Sequence, residues 1–351
     1  MTTTLFRSYS TSSAETKKLW SEALFRDTAK KSYFDKFTGD GANNVVQMKT
    51  DLTKDKGDQI YFFIRHRTTS GFLASGTPVE GNEQNMSTAD DSVTVDEKNF
   101  GIRDGGMIKR QRAFYDTDSE MFQALTDQGA ENVDQEHFTA LDSQNTTVFY
   151  QVSGVFTITA TLATATAAIT ATDTLDADFI NTFRPWLVTG GNRSQAPIRP
   201  IKVDGRDCYI LLVHPDVTSD LKKDATFHAA QREALERSKS NPIFSGALGV
   251  WDGIIIHEHE NIALATNGGA GTNVPYAKCH VLGAQSLMIG WAQKPDVVPD
   301  KFSYGQIHGL AWLSMFGIAK PQFTNAAGTT KDYGSVNVIL ARTQISDKSY
   351  S

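Results

Sequence analysis

The residues whose chemistry stands out first form one short run, His257-Glu258-His259-Glu260. Imidazole and carboxylate groups bind Zn²⁺, and hydrolases use such metal ions to activate water. Zinc proteases, however, place two histidines four residues apart on a helix, whereas these histidines are two residues apart. The preceding isoleucines, Ile254–Ile256, indicate a buried strand on which His257 and His259 would share one face. A metal-dependent hydrolase is one interpretation, and a structural or interface role without metal is the one we expect.

The rest of the sequence predicts no catalytic or cofactor site. It contains no G-x-S-x-G nucleophile elbow, Walker phosphate loop or dinucleotide-binding fingerprint, and its Gly-Gly pairs are typical of turns. We therefore expect neither enzyme activity nor a cofactor. The two cysteines, Cys208 and Cys279, lie far apart and outside any CxxC motif, which predicts two reduced, packed thiols.

Composition places the chain among soluble globular proteins. Its 351 residues are 40% hydrophobic and 21% charged, and they could form one large domain or two ordinary ones. The net charge of −6 does not indicate nucleic-acid binding by the molecule as a whole. The uncharged stretch Val152–Thr172 is long enough for a membrane span, but its apolar residues alternate with threonines. This alternation predicts strands, and we expect no membrane association.

An N-terminal arm is predicted by a capping box, Ser12–Glu15, that opens an amphipathic helix. From Arg7 to Lys36 the chain has seven basic and four acidic residues, a local charge of +3 in an acidic protein. The arm is either a solvated helix face or a segment that binds a neighbouring molecule. In the second case the contact candidates are Lys17, Trp20, Lys30 and Lys31.

A long excursion follows two predicted strands, Val45–Lys49 and Asp58–Arg67. Residues Thr68–Ala89 are rich in Gly, Ser and Asn, and the chain returns through a strand at Ser92–Phe100. A loop of this length is unusual inside a compact domain. A hairpin that leaves the domain and lies on a neighbour would explain it.

The remaining pattern is that of a mixed α+β body. A second capping box, Thr117–Glu120, opens a helix whose apolar stripe continues to about Leu141. Further helices are predicted at Thr174–Phe183, stopped by Pro185, and at Thr218–Lys239. Buried strands are predicted at Cys208–His214, Val250–His257 and Cys279–Gly290, and final strands at Gly309–Ile318 and Ser335–Thr343.

Four motifs occur in an order that is similar to one known family. They are Lys49–Lys54 (KTDLTK), Gly57–Ile60 (GDQI), Glu80–Glu83 (EGNE) and Asp252–Glu258 (DGIIIHE). Through them the chain resembles the major capsid proteins of tailed phages of the N4 type, from about Tyr33 to about Gln344. The resemblance implies the Hong Kong 97-type capsid fold.

That fold implies a division of the chain into four parts. Residues 1–43 would be the N-terminal arm, and residues 44–100 the extended loop with its flanking strands. Residues 101–151 and 301–351 would form a peripheral domain containing the long spine helix and the final strands. Residues 152–300 would form an axial domain with a central mixed sheet and an Ala/Thr-rich insertion.

The resemblance also implies a function and a set of partners. The chain would assemble into homo-hexamers and homo-pentamers that close an icosahedral shell around double-stranded DNA, which its inner surface would bind non-specifically. A portal protein would be a further partner, with scaffold and decoration proteins as additional candidates. The protein would belong to the virion and pass through the host cytoplasm during assembly. An encapsulin-type compartment has the same fold and remains an alternative, beside the hydrolase.

Opposite charges predict where copies could touch. Residues Gly57–Glu97 carry seven acids and two arginines, a net charge of −5, whereas Lys109-Arg110-Gln111-Arg112 is basic. The two patches either bind each other between subunits or are unrelated and solvated. The candidate contact residues are Arg65, Arg67, Phe72, Leu73, Glu80, Glu83, Lys109, Arg110 and Arg112.

Overall fold

The computed structural model is built around two mixed β-sheets and one long helix. It describes residues 24–25, 27–28, 31–50, 57–65, 72–83, 88–112, 117–190, 197–203, 205–227, 229, 247–324 and 330–343. The strands are β1 (Thr38–Gly39), β2 (Val46–Lys49), β3 (Gln59–Arg65), β4 (Thr88–Thr94), β5 (Asp96–Arg103), β6 (Val148–Val152), β7 (Val155–Thr159), β8 (Ile201–Val203), β9 (Arg206–Val213), β10 (Ala247–Trp251), β11 (Ile254–Glu258), β12 (Leu264–Gly268), β13 (Val274–Leu282), β14 (Leu287–Phe302), β15 (Ile307–Ala319), β16 (Gln322–Thr324), β17 (Thr330–Asp332) and β18 (Ser335–Ala341). The helices are α1 (Met107–Arg112), α2 (Thr117–Asp142), α3 (Leu162–Ala168), α4 (Ala177–Thr189) and α5 (Pro215–Leu221), with 3-10 turns at Phe34–Phe37 and Ser303–Gly305.

The five-stranded sheet is built around one long hairpin. Strands β14 and β15 pair antiparallel along most of their length, and the full order is β1-β2-β14-β15-β5. The helix α2, called the spine helix below, packs on this sheet through a buried stripe that includes Met121, Leu125 and Val133. Gly129 makes this packing possible, because a Cβ there would lie 2.5 Å from the Trp312 ring. The helix predicted from Thr117 to about Leu141 is confirmed.

The larger sheet has nine strands and holds the main core. Its order is β10-β11-β9-β13-β18-β6-β7, with β12 paired to β13 and β8 paired to β9. Strands β9, β11 and β18 each contain a run of buried, mainly apolar residues, as expected for central strands covered on both faces. The strand predicted over Val250–His257 is wrong at its start: Val250 and Trp251 end β10, Asp252 and Gly253 form a turn at positive φ, and β11 begins at Ile254.

The predicted hairpin at the excursion is present as a separate two-stranded sheet of β3 and β4. Its base lies against the five-stranded sheet through Ile60, Phe62, Val93 and Met288. Gly317 permits this close approach, since a Cβ there would lie 2.0 Å from the Thr94 carbonyl oxygen. The single strand predicted over Ser92–Phe100 is wrong. Strand β4 ends at Thr94 and pairs with β3, whereas β5 pairs with β15 on the edge opposite to β14.

Two local predictions around the Ala/Thr-rich segment are wrong. The alternation ends with β7 at Thr159, and residues Leu162–Ala168 form α3, because four of the seven are alanine, the best helix former. Pro185 does not stop α4, which Asp176 caps by accepting a hydrogen bond from the Phe179 amide and which ends at Gly190. The buried apolar face of α4 outweighs the backbone hydrogen bond that proline removes.

Three further boundaries differ from the sequence prediction. The strand predicted over Cys279–Gly290 is two strands in different sheets, because β13 ends at Leu282 and the tightly packed Gly283 starts a turn. The final strands also separate, with β15 in the five-stranded sheet and β18 in the nine-stranded sheet. The helix predicted from Thr218 begins earlier, at Pro215, the favoured first helical position, and α5 ends at Leu221. Residue 228 and residues 230–239 of that prediction lie outside the described chain. In the described residues no helix is both long and apolar enough to cross a bilayer.

Candidate assembly surfaces

The histidine run is a docking surface for the C-terminal part of the predicted arm, Tyr33–Phe37. His257 is fully buried on β11, and its ring meets the Phe37 ring edge-on at 5.4 Å. The His259 ring lies 4.4 Å from that of Tyr33 and 4.7 Å from that of Phe138, and burial lowers its pKa. Within the part of the chain that the structure describes, no three His, Cys, Asp or Glu side chains are grouped as a metal site requires. In this geometry the run serves structural packing.

Residues 31–37 run along the spine helix and are held by its acidic groups. The Asp134 carboxylate accepts hydrogen bonds from the Ser32 hydroxyl at 2.7 Å and the Tyr33 amide at 2.8 Å. Burial raises the pKa of Asp134, and these hydrogen bonds oppose the rise. Phe34 stacks on His137 with 4.6 Å between ring centroids. This contact was not predicted from the sequence, although the Tyr-Phe-x-x-Phe pattern of residues 33–37 is a local aromatic signal.

Of the arm residues predicted to contact a neighbour, one can be placed. Lys31 pairs with Asp127 on the spine helix of its own chain, and both side chains remain about half exposed. Lys17, Trp20 and Lys30 lie outside the described residues. The arm prediction thus stays open for three of its four members.

The tip of the excursion, residues 72–83, is exposed at every position. Two turns shape it: the Thr77 amide donates to the Ala74 carbonyl, and the Asn82 amide donates to the Val79 carbonyl, each at 3.0 Å. Its large apolar side chains, Phe72, Leu73 and Val79, reach solvent. The tip also carries the acids Glu80 and Glu83, of which Glu83 accepts from the Gly81 amide. We call residues 72–83 the loop tip.

In the predicted basic cluster Lys109–Arg112, the two arginines have different surroundings. Arg110 is committed within its own chain: its Nε lies 2.9 Å from Asp104 Oδ2, its Nη2 donates to the Gln306 carbonyl at 2.8 Å, and its Nη1 approaches the His308 ring. Arg112 is exposed, and the Lys109 side chain lies outside the described residues. Arg65 ends β3, its side chain also outside the described set, and Arg67 is not described.

Arg110 joins helix α1 to the turn between β14 and β15, and this junction carries an apolar patch. Met107, Ile108, Phe302 and Tyr304 are all exposed there. The turn is unusual, because Ser303, Tyr304 and Gly305 all have positive φ. Three basic residues on β5, α1 and β14 are exposed as well: Arg103, Arg112 and Lys301. The basic residues of α1 could be recognised in the sequence, whereas the exposed apolar residues of this junction could not.

Comparison with known proteins identifies the family of this chain. The family model described as phage capsid protein matches residues 8–343. The chain belongs to the phage capsid protein family. It is 24% identical over 364 residues to the major capsid protein of Pseudomonas phage KPP25, covering 93% of this chain and 95% of the relative.

Solved phage capsids have the same fold. The capsid of Ralstonia phage GP4 matches with a TM-score of 0.76 and 23% identity, covering 90% of this chain and 92% of that one. Cyanophage Pam1 capsid matches with a TM-score of 0.71 and 21% identity, covering 90% and 93%. The predicted α+β, Hong Kong 97-type capsid fold is confirmed. Placement in the N4-type branch stays a prediction.

Family membership makes the chain a structural component of the phage virion. Proteins of this kind assemble with copies of themselves into closed shells. The match favours a phage capsid over both alternatives, the encapsulin-type compartment and the metal-dependent hydrolase.

Proposed function

We propose that the chain is a major capsid protein without catalytic function, whose hexamers and pentamers form the icosahedral head around the phage genome. The observation that carries the proposal is the loop tip, which presents Phe72, Leu73 and Val79 to solvent at the end of a hairpin separate from both large sheets. Exposing these apolar side chains does not stabilise a monomer. In a shell, each copy would bury them against a neighbouring copy.

The free energy available from burying these side chains supports assembly through many modest contacts. Burying one large apolar side chain contributes about 1.5–3 kcal/mol. Three such side chains on the loop tip of each subunit supply a useful association energy only when the contact is repeated around a closed shell. In this proposal residues 1–43 form the arm and 44–100 the loop region. The five-stranded sheet with the spine helix is the peripheral domain, and most of the nine-stranded sheet is the axial domain.

Charge gives the contact its direction. Glu80 and Glu83 on the loop tip would pair with the basic cluster of a neighbouring subunit, in which Lys109 and Arg112 are the leading partners. Arg110 is better assigned to holding its own α1 in place, because its three partners are intramolecular. Each exposed pair contributes only about 0–1 kcal/mol, so charge orients the contact and apolar burial supplies most of its strength.

Further partners belong to the same proposal. A closed head needs a portal protein for DNA entry, and scaffold and decoration proteins are additional candidates. The inner surface would contact double-stranded DNA without reading its sequence, and assembly would occur in the host cytoplasm before the protein becomes part of the virion.

The proposal is tested on the loop tip of the purified chain. A Phe72→Ser/Val79→Ser variant should remain a folded monomer by circular dichroism but form few or no shells in electron micrographs. Val155→Ser is the matched control, because Val155 is 64% exposed and Val79 is 66% exposed, on different elements. Normal shells from the loop-tip variant would show that these side chains do not make the assembly contact.

A further inference from the structure

A buried ion pair lies where the two large sheets and the spine helix meet. Lys320 follows the end of β15, and its Nζ lies 3.1 Å from Asp332 Oδ2 on β17. Both side chains are almost completely buried, at 1% and 0% exposure. Burial lowers the pKa of Lys320, while Asp332 favours its charged form. Two ions so far from water need further hydrogen bonds to be tolerated.

Those hydrogen bonds lead toward the spine helix. Lys320 Nζ donates to Asn145 Oδ1 at 2.9 Å, and Asn145 Nδ2 donates to the Asp142 carbonyl at the last residue of the helix. Asp332 Oδ2 accepts from the Thr146 amide at 3.0 Å, and the Asp332 amide donates to the Thr146 hydroxyl at 2.7 Å. The ion pair is thereby fixed to the segment that connects the spine helix with β6.

The same network leads in the other direction to the extended hairpin. Asp332 Oδ1 accepts from Gln322 Nε2 at 2.9 Å, and that amide also donates to the Gln144 carbonyl at 2.6 Å. The Gln322 backbone amide donates to Asp91 Oδ2 at 2.8 Å, and Asp91 belongs to β4. A continuous series of hydrogen bonds thus runs from the spine helix through β17 and β16 to β4.

We propose that this network sets the orientation of the β3–β4 hairpin relative to the spine helix, with Lys320 and Asp332 as the positioning pair. Buried ion pairs add little net stability compared with apolar replacements, but they specify one arrangement because any other leaves a charge unpaired. The hairpin base has two other contacts with the body: the apolar cluster around Ile60, Phe62, Val93 and Met288, and the Lys49 ammonium group, which donates to the Tyr61 carbonyl at 2.7 Å. These contacts join the hairpin to the five-stranded sheet, whereas the network joins it to the spine helix. Orienting the hairpin before docking lowers the entropy lost on association. That consequence rests on the proposed function, whereas the coupling itself is a property of the single chain.

Hydrogen exchange of the assembly-incompetent monomer (Phe72→Ser/Val79→Ser) tests the coupling without any shell. Two variants are compared in this background. Lys320→Met/Asp332→Leu replaces the ion pair by apolar side chains, and Gln322→Met removes only the side-chain amide between Asp332 and the Gln144 carbonyl. In both variants, the backbone amides of β3 and β4 should exchange about five- to tenfold faster, while those of the paired strands β13 and β18 stay unchanged.

The control is Lys98→Met/Glu136→Leu, which removes a 2.9 Å ion pair between β5 and the spine helix whose side chains are 37% and 40% exposed. It should leave the hairpin amides unchanged. Unaltered hairpin exchange in Gln322→Met overturns the proposal, even if the double variant does not fold. Equal acceleration in the hairpin and in β13–β18 also overturns it, because the network would then support the whole fold and not the hairpin orientation.

Discussion

The ring of Tyr33 packs against the ring of His259 with 4.4 Å between centroids and an interplanar angle of 63°. This contact identifies the residues against which the histidine run packs. Two aromatic residues near the end of the predicted arm pack on the run, Tyr33 on His259 and Phe37 on His257. Aromatic pairs in such edge-on geometry contribute about 0.5–1.5 kcal/mol beyond the area they bury.

The first prediction concerns metal and stability at this run. The His257→Asn/His259→Gln variant should show the same metal content as the unchanged protein by elemental analysis after chelation. Its free energy of unfolding should fall by about 1–3 kcal/mol, because aromatic contacts to residues 33–37 are lost. Stoichiometric zinc in the unchanged protein that disappears in the variant would restore the metal-site interpretation.

The second prediction is a loss of stability on mild acidification that depends on His137. Burial lowers the pKa of His137 from 6.5 to about 4 and that of His280 to about 3. The unfolded chain therefore binds more protons than the folded chain between these values and pH 6.5, and stability falls as pH decreases through that window. Asp134 and Asp142 oppose the trend near its lower end, because burial raises the pKa of each.

The measurement is the urea midpoint at pH 7 and at pH 5. His137→Gln should shrink the difference between the two midpoints, since glutamine does not titrate. Tyr33→Phe is a control that changes the same packed region without removing a histidine, and it should leave the difference intact. A difference that is equal in His137→Gln and the unchanged protein would mean that other groups govern the pH dependence.

The third prediction concerns the close approach of the hairpin to the five-stranded sheet. Gly317→Ala places a Cβ 2.0 Å from the Thr94 carbonyl oxygen, so the hairpin base must move. The cost should be about 1–3 kcal/mol in the free energy of unfolding, as for other overpacked sites. Gly249→Ala is the matched strand control, because a Cβ there would meet no described atom within 4 Å and its φ is ordinary. Equal stability of the two variants would show that the hairpin base is loosely held.

Some of this architecture could be predicted from residue types because the signals were local. The spine helix follows from the capping box at Thr117 and the apolar stripe behind it. The boundary between β13 and β14 could not be predicted, since Gly283 and Ser286 break a run of apolar residues for reasons of tertiary packing. The contact of Arg110 with His308 likewise spans 198 positions of sequence. The exposure of Tyr304 could not be predicted either, because it depends on the positive φ angles of the turn at Ser303–Gly305.

The fourth prediction tests the charge pairing proposed for the loop tip. Glu80→Lys/Glu83→Lys should impair assembly while leaving the monomer folded, and adding Lys109→Glu/Arg112→Glu in the same chain should partly restore it. Arg110 is left unchanged, because it holds α1 within its own chain. Raising the salt concentration should weaken the contact in the unchanged protein, since exposed charges are screened. A second reversal that only worsens assembly would assign the loop tip to apolar partners alone.

Whether this chain builds a shell is decided by electron microscopy of the purified, unmodified protein. We expect closed icosahedral particles or discrete hexameric and pentameric capsomers, formed by this protein alone or with a scaffold protein. A chain that stays monomeric at high concentration, with and without the scaffold protein of its phage, would contradict the assignment as a major capsid protein.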